Sequence, residues 1–87
     1  MNTFKLIISS PEGNVFEGDA ASISLRGIEG ELAVMAGHIP FVTSIVKAPC
    51  TLWLEDGTQK TATTEGGLLT VSTDSVILVA GSFKFDE

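Results

Sequence analysis

Apolar and polar positions alternate along most of this chain with a period of two, the spacing of strands that bury one face. Phe4-Lys5-Leu6-Ile7-Ile8-Ser9 puts Phe4, Leu6 and Ile8 on one side. Ser10-Pro11-Glu12-Gly13-Asn14 is a turn cluster, after which Val15-Phe16 opens a second short strand. Ala21 to Arg26 alternates again, with Ala21, Ile23 and Leu25 expected inward and the serines and Arg26 outward. Leu32, Val34 and Met35 read as a brief buried strand. Ala36-Gly37-His38-Ile39-Pro40 follows as a turn, because Gly takes positive φ and Pro pre-sets φ near −65°. Phe41, Val42, Thr43 and Ile45 then resume an extended run, and Lys47-Ala48-Pro49 breaks it before Cys50-Thr51-Leu52-Trp53-Leu54.

Glu55-Asp56-Gly57-Thr58 predicts a hairpin with a type I′ turn, since Asp-Gly suits two positive φ values. Its partner strand, Gln59–Thr64, is polar and Thr-rich and is expected to face solvent. Glu65-Gly66-Gly67 marks a corner, and Leu68–Ser72 with Val76–Ala80 forms a last hairpin around Thr73-Asp74-Ser75. From Gly81 to Glu87 only seven residues remain, fewer than the roughly twelve an isolated helix needs. Phe83 and Phe85 are expected to tuck back against the edge, with Lys84 and the last acids in water. No window shows a helical period. The pattern predicts an all-β fold, a small β-sandwich or flattened barrel of about 8–10 short strands, as one domain over residues 1–87.

Composition narrows the function more than the fold. A chain of 87 residues that is 44% apolar builds a core, so disorder is excluded. A net charge of −6 with five Lys and Arg speaks against nucleic acid and against direct adhesion to anionic lipid. The longest apolar run, Val76-Ile77-Leu78-Val79-Ala80, is far short of the about 20 residues of a membrane-spanning helix. Leu6-Ile7-Ile8 is too short for a signal peptide. One cysteine, Cys50, allows no internal disulfide and suits a reducing compartment. The chain reads as soluble and cytoplasmic.

The densest punctuation falls in Gly27–Thr43, where glycines, the sole histidine, a proline and two near-adjacent acids pin two polar loops to one scaffold. His38 is the natural start for a catalytic reading, with Ser10, Ser44 and Asp56 available elsewhere, yet no nucleophile-elbow or triad spacing accompanies it. Glu29 and Glu31 lack the further ligands of a calcium loop. Gly66-Gly67 is followed by neither Lys-Ser nor Lys-Thr, so it is no phosphate cradle. The segment is built to be touched by a partner, and no metal or cofactor is expected.

Gly27-x-Glu29-Gly30-Glu31-Leu32-x-Val34-x-x-Gly37-His38-x-Pro40-x-x-Thr43, with Gly66-Gly67-x-Leu69-x-Val71 and Val76-x-x-Leu78-Val79-Ala80, resembles the N-terminal β-sandwich domain of the F-type ATP synthase epsilon subunit. Phe4, Phe16-Glu17-Gly18 and Ile23 also fall where that family has their like, so the resemblance spans the chain. Ala48-Pro49 departs from it, standing where the family has a glycine. The resemblance implies a non-catalytic subunit of the central rotor that links gamma to the c-ring and couples ion transport to ATP synthesis. It further implies a peripheral place at the cytoplasmic face of a bacterial plasma membrane, indirect linkage to the catalytic alpha/beta hexamer, and no cofactor of its own. Carried over by residue, Ser10, His38 and Thr43 are expected together on the gamma face, and Glu29, Gly30 and Glu31 at the c-ring loops.

A second function class stays open on the residues themselves. Lipoyl and biotinyl carriers are small acidic β-sandwiches with a functional hairpin. They carry the modified lysine at the apex, whereas here the apex is Asp56-Gly57 and Lys60 lies along the strand.

Overall fold

Gly13–Gly27 is one strand, not the two that the sequence suggests, and its bend creates the sandwich. In its first half Phe16, Gly18 and Ala20 face inward; in its second half Ile23, Leu25 and Gly27 do. The phase slips at Ala21, which is skipped in the register with the strand opposite: Ala20 pairs with Leu54 and Ser22 with Trp53. One extra residue both re-aims the side chains and kinks the strand. Ala20 is therefore the fully buried alanine, and Ala21, expected inward, is only partly covered.

The computed structural model describes residues 2–37 and 39–86. Among them the strands in chain order are β1 (Phe4–Ser10), β2 (Gly13–Gly27), β3 (Gly30–Met35), β4 (Phe41–Ile45), β5 (Ala48–Leu54), β6 (Gln59–Thr64), β7 (Gly67–Val71), β8 (Ser75–Ala80) and β9 (Phe83–Phe85), and no helix is present. In the upper layer the first half of β2 pairs with β1, β1 runs parallel to β8, and β8 continues through β7 to β4. In the lower layer the second half of β2 lies between β3 and β5, and β5 continues through β6 to β9. Gly27 opposite Ile45 joins β4 to β2 and so links the layers. The all-β sandwich expected from the alternation is the fold observed.

The core fills the space between the layers. Phe4, Leu6 and Ile8 of β1, Leu69 and Val71 of β7, and Val76, Leu78 and Ala80 of β8 meet Ile23, Leu25, Val34, Cys50, Leu52 and Ala62. Phe83 is buried, and Phe85 packs edge-to-face on Phe83 and Phe16 with centroids 5.2 and 6.5 Å apart. The tail thus closes the lower layer as a short strand, with Lys84 outward as expected.

Four local expectations are corrected. Met35 is 59% exposed, because in register it sits opposite Ser22 on the outward face of β2. β6 is not wholly a solvent strand: Ala62 and Thr64 are buried, covered by β9. The Asp56-Gly57 hairpin is not type I′, since no described residue other than glycine has positive φ. The Gly57 N–H donates to the Leu54 carbonyl at 3.0 Å and the Leu54 N–H to the Thr58 carbonyl at 2.9 Å, so a type I turn closes on Gly57 at φ 89°. Pro49 also lies inside β5 rather than in a break before it, ahead of the point where pairing with β2 starts at Thr51.

Candidate functional site

The Glu29-Gly30-Glu31 stretch is the tip of the β2–β3 hairpin. Gly27 pairs with Gly30 across a two-residue loop, Ile28-Glu29, and Gly30 supplies φ 129°. Two backbone bonds pin the tip to β4: the Ile28 N–H donates to the Ser44 carbonyl at 3.2 Å, and the Val46 N–H to the Arg26 carbonyl at 2.9 Å. Arg26 Nη2 lies 3.3 Å from Glu31 Oε2 across the hairpin. Glu29 is exposed, and no hydrogen bond or ion pair engages it among the described residues.

Thr43 lies beside this tip. A depression of about 380 Å³ is lined by Glu29, Gly30, Glu31 and Leu32 on one side and by Phe41, Val42 and Thr43 on the other. Ser10 is elsewhere, at the end of β1, where its Oγ accepts from the Glu12 N–H at 3.3 Å and donates to the Gly13 carbonyl at 3.4 Å. Strands β8 and β7 stand between β1 and β4, so Ser10 and Thr43 share a layer but are not neighbours as expected. His38 lies outside the described residues.

One surface feature was missed in the sequence. The outward side of the upper layer carries Ile7, Ile77, Thr70 and Val42 in one cross-strand row and Ser9, Val79, Leu68 and Ser44 in the next. Val42, Val79 and Leu68 are 61%, 54% and 46% exposed. The unbroken run Val76–Ala80 was the signal, for a strand apolar on both faces is one meant to be covered on both. The outward side of the lower layer is polar near the Arg26–Glu31 pair, with Ser24, Thr51, Thr61 and Thr63, and apolar at its other end, where Met35 and Trp53 flank Ser22.

Two titratable groups depart from their ordinary values. Burial pushes the Cys50 thiol up to about 12, which keeps it protonated and inert. Side-chain and backbone hydrogen bonds from Thr58 hold the Asp56 carboxyl below its ordinary value, the Thr58 N–H lying 2.8 Å from Oδ1. Among the described residues no cluster of His, Cys, Asp and Glu is set to hold a metal, and no helix is long and apolar enough to cross a membrane.

Similarity to known proteins is consistent along the chain. It is 33% identical over 85 residues to the sodium ion specific ATP synthase epsilon chain of Acetobacterium woodii, covering 98% of this chain and 64% of that relative. The fold superposes on a chain of the Euglena gracilis mitochondrial ATP synthase with a TM-score of 0.90, at 22% identity, over 95% of this chain and 53% of that one. It superposes on a chain of the Tetrahymena thermophila mitochondrial ATP synthase central stalk and c-ring with a TM-score of 0.78, at 11% identity, over 94% and 66%. The profile of the ATP synthase delta/epsilon chain β-sandwich domain matches residues 3–85, and the chain belongs to that family.

Proposed function

We propose that this chain is a non-catalytic subunit of the central rotor of an F-type ATP synthase, packed on gamma and resting on the c-ring, so that ion flow through the ring is coupled to ATP synthesis. The observation that carries this reading is the apolar outward face of the upper layer, on a chain of the delta/epsilon family. Burying Val42, Leu68, Val79, Ile7 and Ile77 under a partner removes apolar area from water at about 25 cal/mol per Å². A packed two-layer sandwich also suits a part that passes torque through its surfaces, because a close-packed interior transmits strain.

In this reading the apolar face is the gamma side. Ser10 ends β1 and Thr43 lies on β4 of the same layer, but both alternate with the outward residues Ser9 and Val42, so they flank this face at its strand ends without contributing side chains to it; His38 precedes β4 in sequence. The acidic Glu29-Gly30-Glu31 tip faces the polar loops of the c-ring, where it pairs with basic groups. The subunit then sits peripherally at the cytoplasmic face of a bacterial plasma membrane, makes only indirect contact with the catalytic hexamer, and needs no cofactor.

The test pairs the chain with purified gamma. Leu68→Glu with Val79→Glu, adjacent across β7 and β8, puts two charges where gamma is to pack. The variant is expected to keep its fold by circular dichroism and lose at least about tenfold in affinity for gamma. A folded variant that binds gamma like the wild type overturns the assignment of this face.

A further inference from the structure

A strand at the edge of a sheet offers a row of unpaired N–H and C=O groups, and folded proteins blunt such rows with short strands, Lys, Pro, bulges or a covering element. β9 is three residues long and carries Lys84 outward. β4 is bonded to β2 through the Ser44 carbonyl and the Val46 N–H, so by backbone alternation only Val42 and the Ser44 N–H are left on the open side, among the described residues, before Pro40, which has no N–H.

β3 is blunted least: among the described residues it pairs with β2 alone, in continuous register from Gly30 to Met35, with no bulge, proline or lysine and with Glu31 as its one charge. Because Gly27 and Gly30 flank a two-residue loop they form a hydrogen-bonded pair, and alternation then aims Leu32 and Val34 at β2 as well. The N–H and C=O groups of Glu31, Ala33 and Met35 point the other way, and none has a partner among the described residues.

We infer that β3 is a docking edge that takes an extended segment of a partner subunit as an added strand. The side chains fix the chemistry of that segment. Glu31, Ala33 and Met35 share the outward face, where Glu31 continues to Arg26 and Met35 continues through Ser22 to Trp53. Glu29 and Glu31 set two negative charges against the one positive charge of Arg26. At the other end, Met35, Ala36, Trp53 and Leu54 line a depression of about 390 Å³. The segment therefore carries a Lys or Arg opposite Glu31, a small residue opposite Ala33 and an apolar residue opposite Met35. A second copy of this chain does not fit, for its net charge of −6 repels its like. That the partner is a rotor subunit rests on the proposed function; the open edge does not.

Backbone hydrogen exchange reads this directly. The amides of Ala33 and Met35 are expected to exchange freely in the isolated chain and to slow at least about tenfold when it is bound to a gamma–c-ring assembly. Ala33→Pro removes an N–H only from the open side, leaves the β2–β3 ladder whole, and is expected to weaken that binding with the sandwich melt unchanged. Unprotected Ala33 and Met35 amides in the bound chain overturn the inference, whether or not the proline variant folds. Protection that appears in the isolated chain with rising concentration overturns it in favour of self-pairing. A wild-type chain that does not bind the assembly overturns the rotor reading instead. The peptide acetyl-Lys-Thr-Ala-Thr-Leu-amide then decides for the edge alone, by slowing exchange at Ala33 or leaving it unchanged.

Discussion

Arg26 and Glu31 face each other across the β2–β3 hairpin with Nη2 3.3 Å from Oε2, so the two acids of its tip are not equivalent. Glu31 has a cation of its own, while Glu29, two residues earlier, has none among the described residues. A sequence in which the acids differ only by position is thus split by the pleat, which sets residue 31, and not 29, opposite Arg26.

That split orders the effects of neutralising each acid. Glu31→Gln is expected to change stability by only about 0.2–1 kcal/mol, because both partners are well exposed. In the rotor reading, Glu29→Gln weakens association with the c-ring more than Glu31→Gln does, since it removes the carboxylate without a partner. Binding measured at low ionic strength, where screening is least, decides it. An equal or reversed order shows that the ring contact runs through Glu31.

Gly67 and Gly81 make a paired test of close packing. A Cβ on Gly67 collides with the Val79 carbonyl oxygen and approaches the Ala80 Cα to 2.8 Å, whereas one on Gly81 meets nothing within 4 Å. Gly67→Ala is expected to cost about 2–4 kcal/mol by forcing β7 and β8 apart, and Gly81→Ala to stay within about 0.5 kcal/mol. Urea unfolding of the two variants checks the difference. Similar midpoints would mean that the β7–β8 backbone yields at no cost.

Among the described residues Thr64 is the one buried polar side chain of the core. Its hydroxyl donates to the Ser82 carbonyl and accepts from the Gly66 N–H, each at 3.2 Å. The Ser82 carbonyl keeps a second donor, the Glu65 N–H at 3.0 Å, but the Gly66 N–H loses its partner in Thr64→Val. The near-isosteric change is expected to cost about 1–3 kcal/mol, the penalty of an unsatisfied buried donor. A valine variant as stable as wild type shows that the corner re-pairs its amide another way.

These cases show what the sequence makes legible. Period-two alternation was sufficient for β1, β7 and β8, because Phe4, Leu6, Ile8, Leu69, Val71, Val76 and Leu78 keep one phase throughout. It failed at Ala21, where a bulge shifts the phase and no residue type announces it. It also failed at Thr64, whose burial depends on β9, a strand that begins only at Phe83. The acidic tip was legible as an exposed turn, while the distance between Ser10 and Thr43 was not, because it depends on strand order rather than on spacing along the chain. The apolar outer face was written in Val76–Ala80, but a short apolar run does not say which of its faces meets the core and which a partner.

Cys50 supplies a prediction in pH. Its thiol lies in the core at 1% exposure, and burial raises its pKa from an ordinary 9.0 to about 12. The folded state therefore holds this proton more tightly than the unfolded chain. The thiol's contribution to stability is full below about pH 9, declines as pH rises above the unfolded value, and is lost by about pH 12. Unfolding midpoints in urea are expected to fall between pH 9 and pH 11 in the wild type, and to fall less in Cys50→Ala once that variant's constant loss of packing is subtracted. The native thiol is likewise expected to resist a disulfide reagent at pH 8 and to react at once in denaturant, since only the thiolate attacks. Rapid labelling of native protein at pH 8, with the melt unchanged, would show that the β5–β6 layer opens often enough to expose Cys50.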